Sequence, residues 1–160
     1  MESGSPFRLI DVLTKHNVPL VIIGGHAVSF HGYLRATEDI DVVIHRSSEA
    51  ESALLAALSE VNACWIANEM DPATGIERTV PVTLEYIRAS RLLMLVTDWG
   101  FLDIFDFIPG YPHEAVEQLF VSAVESGGRR FASLDWLRKM KLAAGRAKDQ
   151  LDLENLPPAT

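Results

Sequence analysis

The chain predicts an α+β fold: a short mixed β-sheet flanked by helices, with a C-terminal helical segment. Three observations carry this. Short β-branched runs that stop at glycines or turn residues alternate with amphipathic stretches. The run "RLLMLVTDWGFLDIFDFIPG" holds two strands joined by a tight turn at Asp98–Gly100, so the sheet contains an antiparallel pair. Beyond Ser133 the signals are helical. With 160 residues, 48% of them apolar, the chain has material for one core. A single domain over residues 1–160 is expected, with a core at about 1–110 and a helical part at about 111–156.

The elements follow in order. "SPFRLIDVLTKHN" is an amphipathic helix, with Ser5 as its cap and Pro6 at its first position. "VPLVIIGG" is a strand stopped by glycines, and "HAVSFHGYL" a short helix ended by Gly32. "EDIDVVIH" is the second strand. "SSEAESALLAALSEV" is a strong helix in which Ser48 and Glu51 have capping-box spacing. "NEMDPATGIERTVP" is turn-rich, a loop or strand edge, while "TLEYIRAS" fits either helix or strand. "HEAVEQLFVSAV" is helical, and "ESGGRRF" is a turn leading into a short strand. "SLDWLRKMKLAAGRAKDQLDLENL" is two helices broken near Gly145, the first capped by Ser133.

The net charge of −8 argues against broad, non-specific DNA binding, which runs on a basic surface. The single cysteine, Cys64, forbids an intrachain disulfide and is expected to be a small buried residue. No apolar run has membrane-spanning length, and "MESGSPFRLID" lacks a signal-peptide core. A cytoplasmic protein without membrane association is expected. The five histidines form no zinc-like pair, and His26 is expected on the surface of a short helix. The three tryptophans are expected to pack in or near the core.

The chemistry concentrates in "VIIGGHAVSFHGYLRATEDIDVVI". Strand side chains alternate, so Asp39 and Asp41 face the same way, roughly 6–7 Å apart along the backbone. Two carboxylates on one face of a buried strand cost free energy unless a cation compensates them. Oxygen ligands of this kind suit Mg²⁺ or Mn²⁺. Gly24 and Gly25, between a strand and a helix, allow the backbone to approach a phosphate. Two further carboxylates, Asp103 and Asp106, lie on a later strand with opposite parity, so at most one easily faces the same site.

These residues resemble the signature of the polymerase-β-like nucleotidyltransferase superfamily: an apolar residue, Gly-Gly, a helix, then Asp-x-Asp on the next strand. Ala27, Arg35 and Thr37 fit the Gly-Gly-x-Ala and Arg-x-Thr-x-Asp-Ile-Asp form of a bacterial minimal, AbiEii-like branch. Gly100-Phe101-Leu102-Asp103-Ile104 matches that branch's third carboxylate, which selects Asp103. "MKLAAGRAKDQLDL" is similar to its C-terminal motif; in the related AbiE-type toxins of type IV toxin–antitoxin systems the spacing is longer.

The resemblance implies a nucleotidyltransferase fold and Mg²⁺-dependent transfer of NMP from an NTP to an acceptor hydroxyl, with release of pyrophosphate. It implies Asp39, Asp41 and Asp103 as metal ligands and catalytic groups, and Lys141 as a catalytic charge on the leaving group. Gly24, Gly25, Arg35 and Thr37 would hold the nucleotide, and Asp149 would orient Lys141 or a substrate group. Lys148 and Asp152 are equally readable as a salt-bridge set. The acceptor is a tRNA end, a protein or a small molecule, and a cognate antitoxin is a candidate partner. The alternative is a non-catalytic nucleotide-binding or toxin–antitoxin partner that keeps the fold.

Overall fold

A computed structural model describes residues 5–159. The elements run α1 (Arg8–Lys15), β1 (Leu20–Ile23), α2 (Gly24–Phe30), β2 (Ile40–Ile44), α3 (Ser48–Glu60), β3 (Cys64–Met70) and β4 (Glu77–Pro81). They continue α4 (Leu84–Ala89), β5 (Leu92–Thr97), β6 (Gly100–Phe105), α5 (Val116–Ser122), β7 (Val124–Ser126), β8 (Arg129–Phe131), α6 (Leu134–Ala144) and α7 (Ala147–Asn155). The mixed sheet has eight strands in the order β4-β3-β5-β6-β2-β1-β8-β7, wider than the short sheet expected. The excess comes from two hairpins. The turn-rich stretch from Asn68 closes β3 against β4, and Gly127–Gly128 close β7 against β8, which joins β1 in parallel.

The sheet's pleat sorts the side chains into two cores. Leu20, Ile22, Ile40, Val42, Ile44, Leu102 and Ile104 point to one face, where α1, α3 and α4 cover them with Leu9, Ile10, Leu13, Leu54, Leu58 and Ile87. Val21, Ile23 and Val43 point to the other, against Leu119 of α5 and Trp136 and Met140 of α6. α2 packs Ala27 and Val28 on Leu137 and Leu156, which ties it to the last two helices. No helix among the described residues is long and apolar enough to cross a membrane.

Several local expectations change. Ser5 does not cap α1 at its first turn. The helix begins after Phe7, and the Ser5 hydroxyl accepts from the Phe7 amide instead, because Pro6 and Phe7 form a separate turn. The cap of α3 is Ser47, which accepts from the Ala50 amide at 3.0 Å, so the Ser48–Glu51 spacing is one residue out of register. Ser133 caps α6 as expected, and Gly145 ends it at φ 63°. "TLEYIRAS" resolves as helix α4, capped by Thr83. Cys64 is half-buried, near the start of the hairpin, and not sealed in the core. Trp136 is buried, but Trp99 is half-exposed with the Arg8 guanidinium 3.3 Å over its ring.

Candidate active site

β2 and β6 lie side by side in parallel, with Asp41 and Asp103 in direct register. Their neighbours on the strands alternate into the first core, so both carboxylates take the second face, beside Val43 and Phe105. Of the two candidates of opposite parity, Asp103 is the one that shares a face with Asp41. Asp106 is turned away, where it binds Arg46 at 3.0 Å and Arg91 at 3.1 Å.

Asp41 and Asp103 form one electrostatic unit. Burial pushes the Asp41 carboxyl up to about 6, helped by the charges of Asp103 and Asp39, while Lys141 pulls it back. Burial also raises Asp103, together with the Asp39 charge; a hydrogen bond from Asp41 opposes that rise.

Asp39 stands differently. β2 starts at Ile40, so Asp39 belongs to the entry loop, where the pleat does not set its direction, and it is exposed. It lines the same cleft. Among the described residues, however, no three or more His, Cys, Asp or Glu side chains are gathered closely enough to hold a metal ion as they stand. The donor set is nevertheless all oxygen, with two like-charged carboxylates forced together by backbone pairing, and this suits a hard cation.

The glycines form a wall of this cleft. Gly24 has φ 69°, and a Cβ built on it would run into Oδ2 of Asp41. A Cβ on Gly25 would lie 2.5 Å from Thr37 Oγ1 and 2.8 Å from Thr37 Cβ. Helix propensity alone would make Gly25→Ala stabilising by about 1 kcal/mol. The Thr37 clash reverses that sign, so Gly25→Ala is expected to cost about 1–3 kcal/mol overall, read as a lower Tm in thermal denaturation. A raised Tm would show that Thr37 yields freely.

The opposite wall is basic and built by α6 and α7. Lys141, 6% exposed, meets Asp149 at 3.2 Å and Asp152 at 3.0 Å. Arg35 donates through Nε and Nη2 to the two oxygens of Asp152, at 2.7 and 2.9 Å. Arg146 donates to Asp149 from Nε at 2.6 Å and from its backbone amide at 3.1 Å. The chain of groups Arg35, Asp152, Lys141, Asp149, Arg146 carries three positive and two negative charges. Burial works to raise Asp149 and Asp152, but their basic partners outweigh it and hold both below the usual carboxylate range.

All the residues singled out in the sequence, Gly24, Gly25, Arg35, Thr37, Asp39, Asp41, Asp103, Lys141 and Asp149, line one cleft of about 200 Å³, with Arg146 and Lys148 beside them. Asp149 is fully buried and orients Lys141. Asp152 proves to be a network member, since it couples Arg35 to Lys141. Its signal was its i, i+3 spacing from Asp149, which sets both on one face of α7. Lys148 makes no ion pair among the described residues and lines the cleft. His26, expected at the surface, is buried, because α2 turns it under Phe7 and away from solvent. Trp99 does not line the cleft.

No protein-family model and no curated protein matches this chain. Among solved structures it is similar to JHP933 from Helicobacter pylori, at 19% identity and TM-score 0.47, over 94% of this chain and 66% of that one. It is also similar to an antigenic nucleotidyltransferase-like protein from Paracoccidioides brasiliensis, at 18% identity and TM-score 0.49, over 91% of this chain and 70% of that one. The chain thus spans about two thirds of the length of these proteins.

Proposed function

We propose that this chain is a nucleotidyltransferase that moves a nucleoside monophosphate from an NTP to an acceptor hydroxyl. One observation carries the reading: the in-register Asp41–Asp103 pair faces a fixed basic wall across a single cleft floored by Gly24 and Gly25. An acidic edge beside a basic one is the charge pattern that a metal-bound triphosphate complements.

Asp41 and Asp103, with Asp39 at the mouth, would hold Mg²⁺ or Mn²⁺. When bound, the ion supplies a Lewis acid that offsets phosphate charge. Gly24 and Gly25 leave room for phosphate oxygens against the backbone. Lys141, fixed by Asp149 and Asp152, faces the charge that builds on the departing pyrophosphate, and Lys148 adds an exposed charge beside it. Asp103, facing the cleft beside Asp41, takes the proton of the acceptor hydroxyl. The bond from acceptor oxygen to the α-phosphorus forms as the bond from that phosphorus to pyrophosphate breaks. Arg35 and Thr37 shape the cleft: the Arg35 fork is taken up by Asp152, so it positions and does not grip the nucleotide.

The acceptor class, whether RNA end, protein or small molecule, and a toxin role with a cognate antitoxin rest on the sequence resemblance alone. Incubation with α-labelled NTPs, Mg²⁺ and a cell extract tests the reaction and names the acceptor. Label transferred to one acceptor class with pyrophosphate release is the expected result. NTP binding without pyrophosphate release would favour the non-catalytic alternative.

A further inference from the structure

A second, larger cavity of about 560 Å³ adjoins the carboxylate cleft, and the two share Arg35 and Thr37 as a common wall. Its apolar sides are Phe7, Phe30 and Phe131. Phe30 and Phe131 stack at 4.1 Å, and Phe7 meets Phe131 edge-on at 6.0 Å, so these rings are held in place before any ligand arrives. Arg129 closes one side, anchored by Asp11 at 2.9 and 3.0 Å and lying 4.4 Å over the Phe7 ring.

Arg35, Thr37 and Ser126 add polar groups, and α2 supplies two more. His26 is 9% exposed, makes no hydrogen bond among the described residues, and lines this cavity. No fully enclosed side-chain nitrogen or oxygen among those residues lacks a partner, so the ring nitrogens of His26 open onto the cavity. Burial and the Arg35 charge lower its pKa, which keeps the ring neutral, with one N–H donor and one bare acceptor nitrogen. Ser29, one turn along, adds a hydroxyl.

We infer that this cavity receives the nucleoside end of the NTP whose phosphates occupy the carboxylate cleft. The inference rests on the proposed nucleotidyl transfer. A nucleobase has apolar faces and a hydrogen-bonding edge, which matches phenylalanine walls with one donor–acceptor imidazole among them. An acyl chain would strand His26 without a partner. The two cavities adjoin at Arg35 and Thr37, which sets the aromatic space beside the anionic one, as a single ligand with an anionic end and an aromatic end requires.

The test is calorimetric titration of the full chain, in Mg²⁺, with an NTP and separately with inorganic tripolyphosphate. Tripolyphosphate fills only the carboxylate cleft. The wild-type chain is expected to bind NTP at least about tenfold more tightly than tripolyphosphate. His26→Leu, and independently Ser29→Phe, which fills the cavity from the surface of α2, should each weaken NTP about tenfold and leave tripolyphosphate within about twofold. Equal wild-type affinities for the two probes, or variants that bind NTP like the wild type, would overturn the inference and leave the transferase reading standing. Failure of the wild type to bind either probe would remove both.

Discussion

Asp41→Asn is expected to reduce pyrophosphate release from NTP at least about a hundredfold while making the metal-free protein more stable above pH 7. The two effects share a cause. Register holds Asp41 against Asp103, and burial lifts its pKa to about 6. A carboxyl raised in the folded state binds its proton more tightly there than in the unfolded chain. Its contribution to stability is complete below about pH 4 and is lost as pH rises through about 6, a change of at most about 3 kcal/mol. In EDTA the wild-type Tm should therefore drift down over that window relative to Asp41→Asn, which has no such proton to lose. At pH 8, excess Mg²⁺ should raise the wild-type Tm and leave the variant's nearly unchanged. Unchanged turnover in a folded Asp41→Asn protein would remove the proposed chemistry. A parallel pH profile of the two Tm values would show that the Asp41–Asp103 pair is not strained.

Lys141→Met should carry the largest loss of stability. The substitution keeps most of the volume but leaves Asp149 and Asp152, at 0% and 1% exposure, without the cation between them. Breaking a buried ion pair on one side costs about 3–5 kcal/mol. Arg146 still holds Asp149 and Arg35 still holds Asp152, so the lower end applies, about 3 kcal/mol, or roughly 6–12 °C in Tm for a domain of this size. Adding Asp152→Asn to Lys141→Met should recover part of the loss, because it removes one of the stranded charges. A double variant that loses the sum of the two single effects would show that Lys141 and Asp152 act independently. Urea or thermal denaturation of the four proteins measures the cycle.

The two predictions probe opposite walls of one cleft, and the fold explains why those walls can oppose each other. The acidic wall is made by strands, where pairing forces like charges into register. The basic wall is made by helices, where side chains have room to alternate sign. Arg35 reaches from the segment before β2 to α7, more than a hundred residues later, so the basic wall is also what ties the C-terminal helices to the loop that lines the cleft.

How much of this was legible in advance depended on range. Parity, a local property of a strand with period two, could say that at most one of Asp103 and Asp106 faces the site; the choice of Asp103 came from the resemblance of Gly100–Ile104. Asp39 shares the parity of Asp41 in the sequence, yet it lies one residue outside β2, and a strand's true start depends on which neighbour it pairs with. The capping serine of α3 slipped by one residue on similar grounds, since adjacent Ser47 and Ser48 are chemically equal and only the path of the chain out of β2 chooses between them.

By itself, the sequence determined the α+β class, the strand–glycine–helix unit, the hairpin of β5 and β6 and the identity of the charged residues, because each depends on spacing over a few residues. The tertiary structure alone decided that eight strands join one sheet, that Asp152 links Arg35 to Lys141, and that His26 turns inward under Phe7. Those outcomes depend on pairings and packings between segments far apart in the chain. Such contacts are settled by the free energy of the assembled core, which no short window of residues contains.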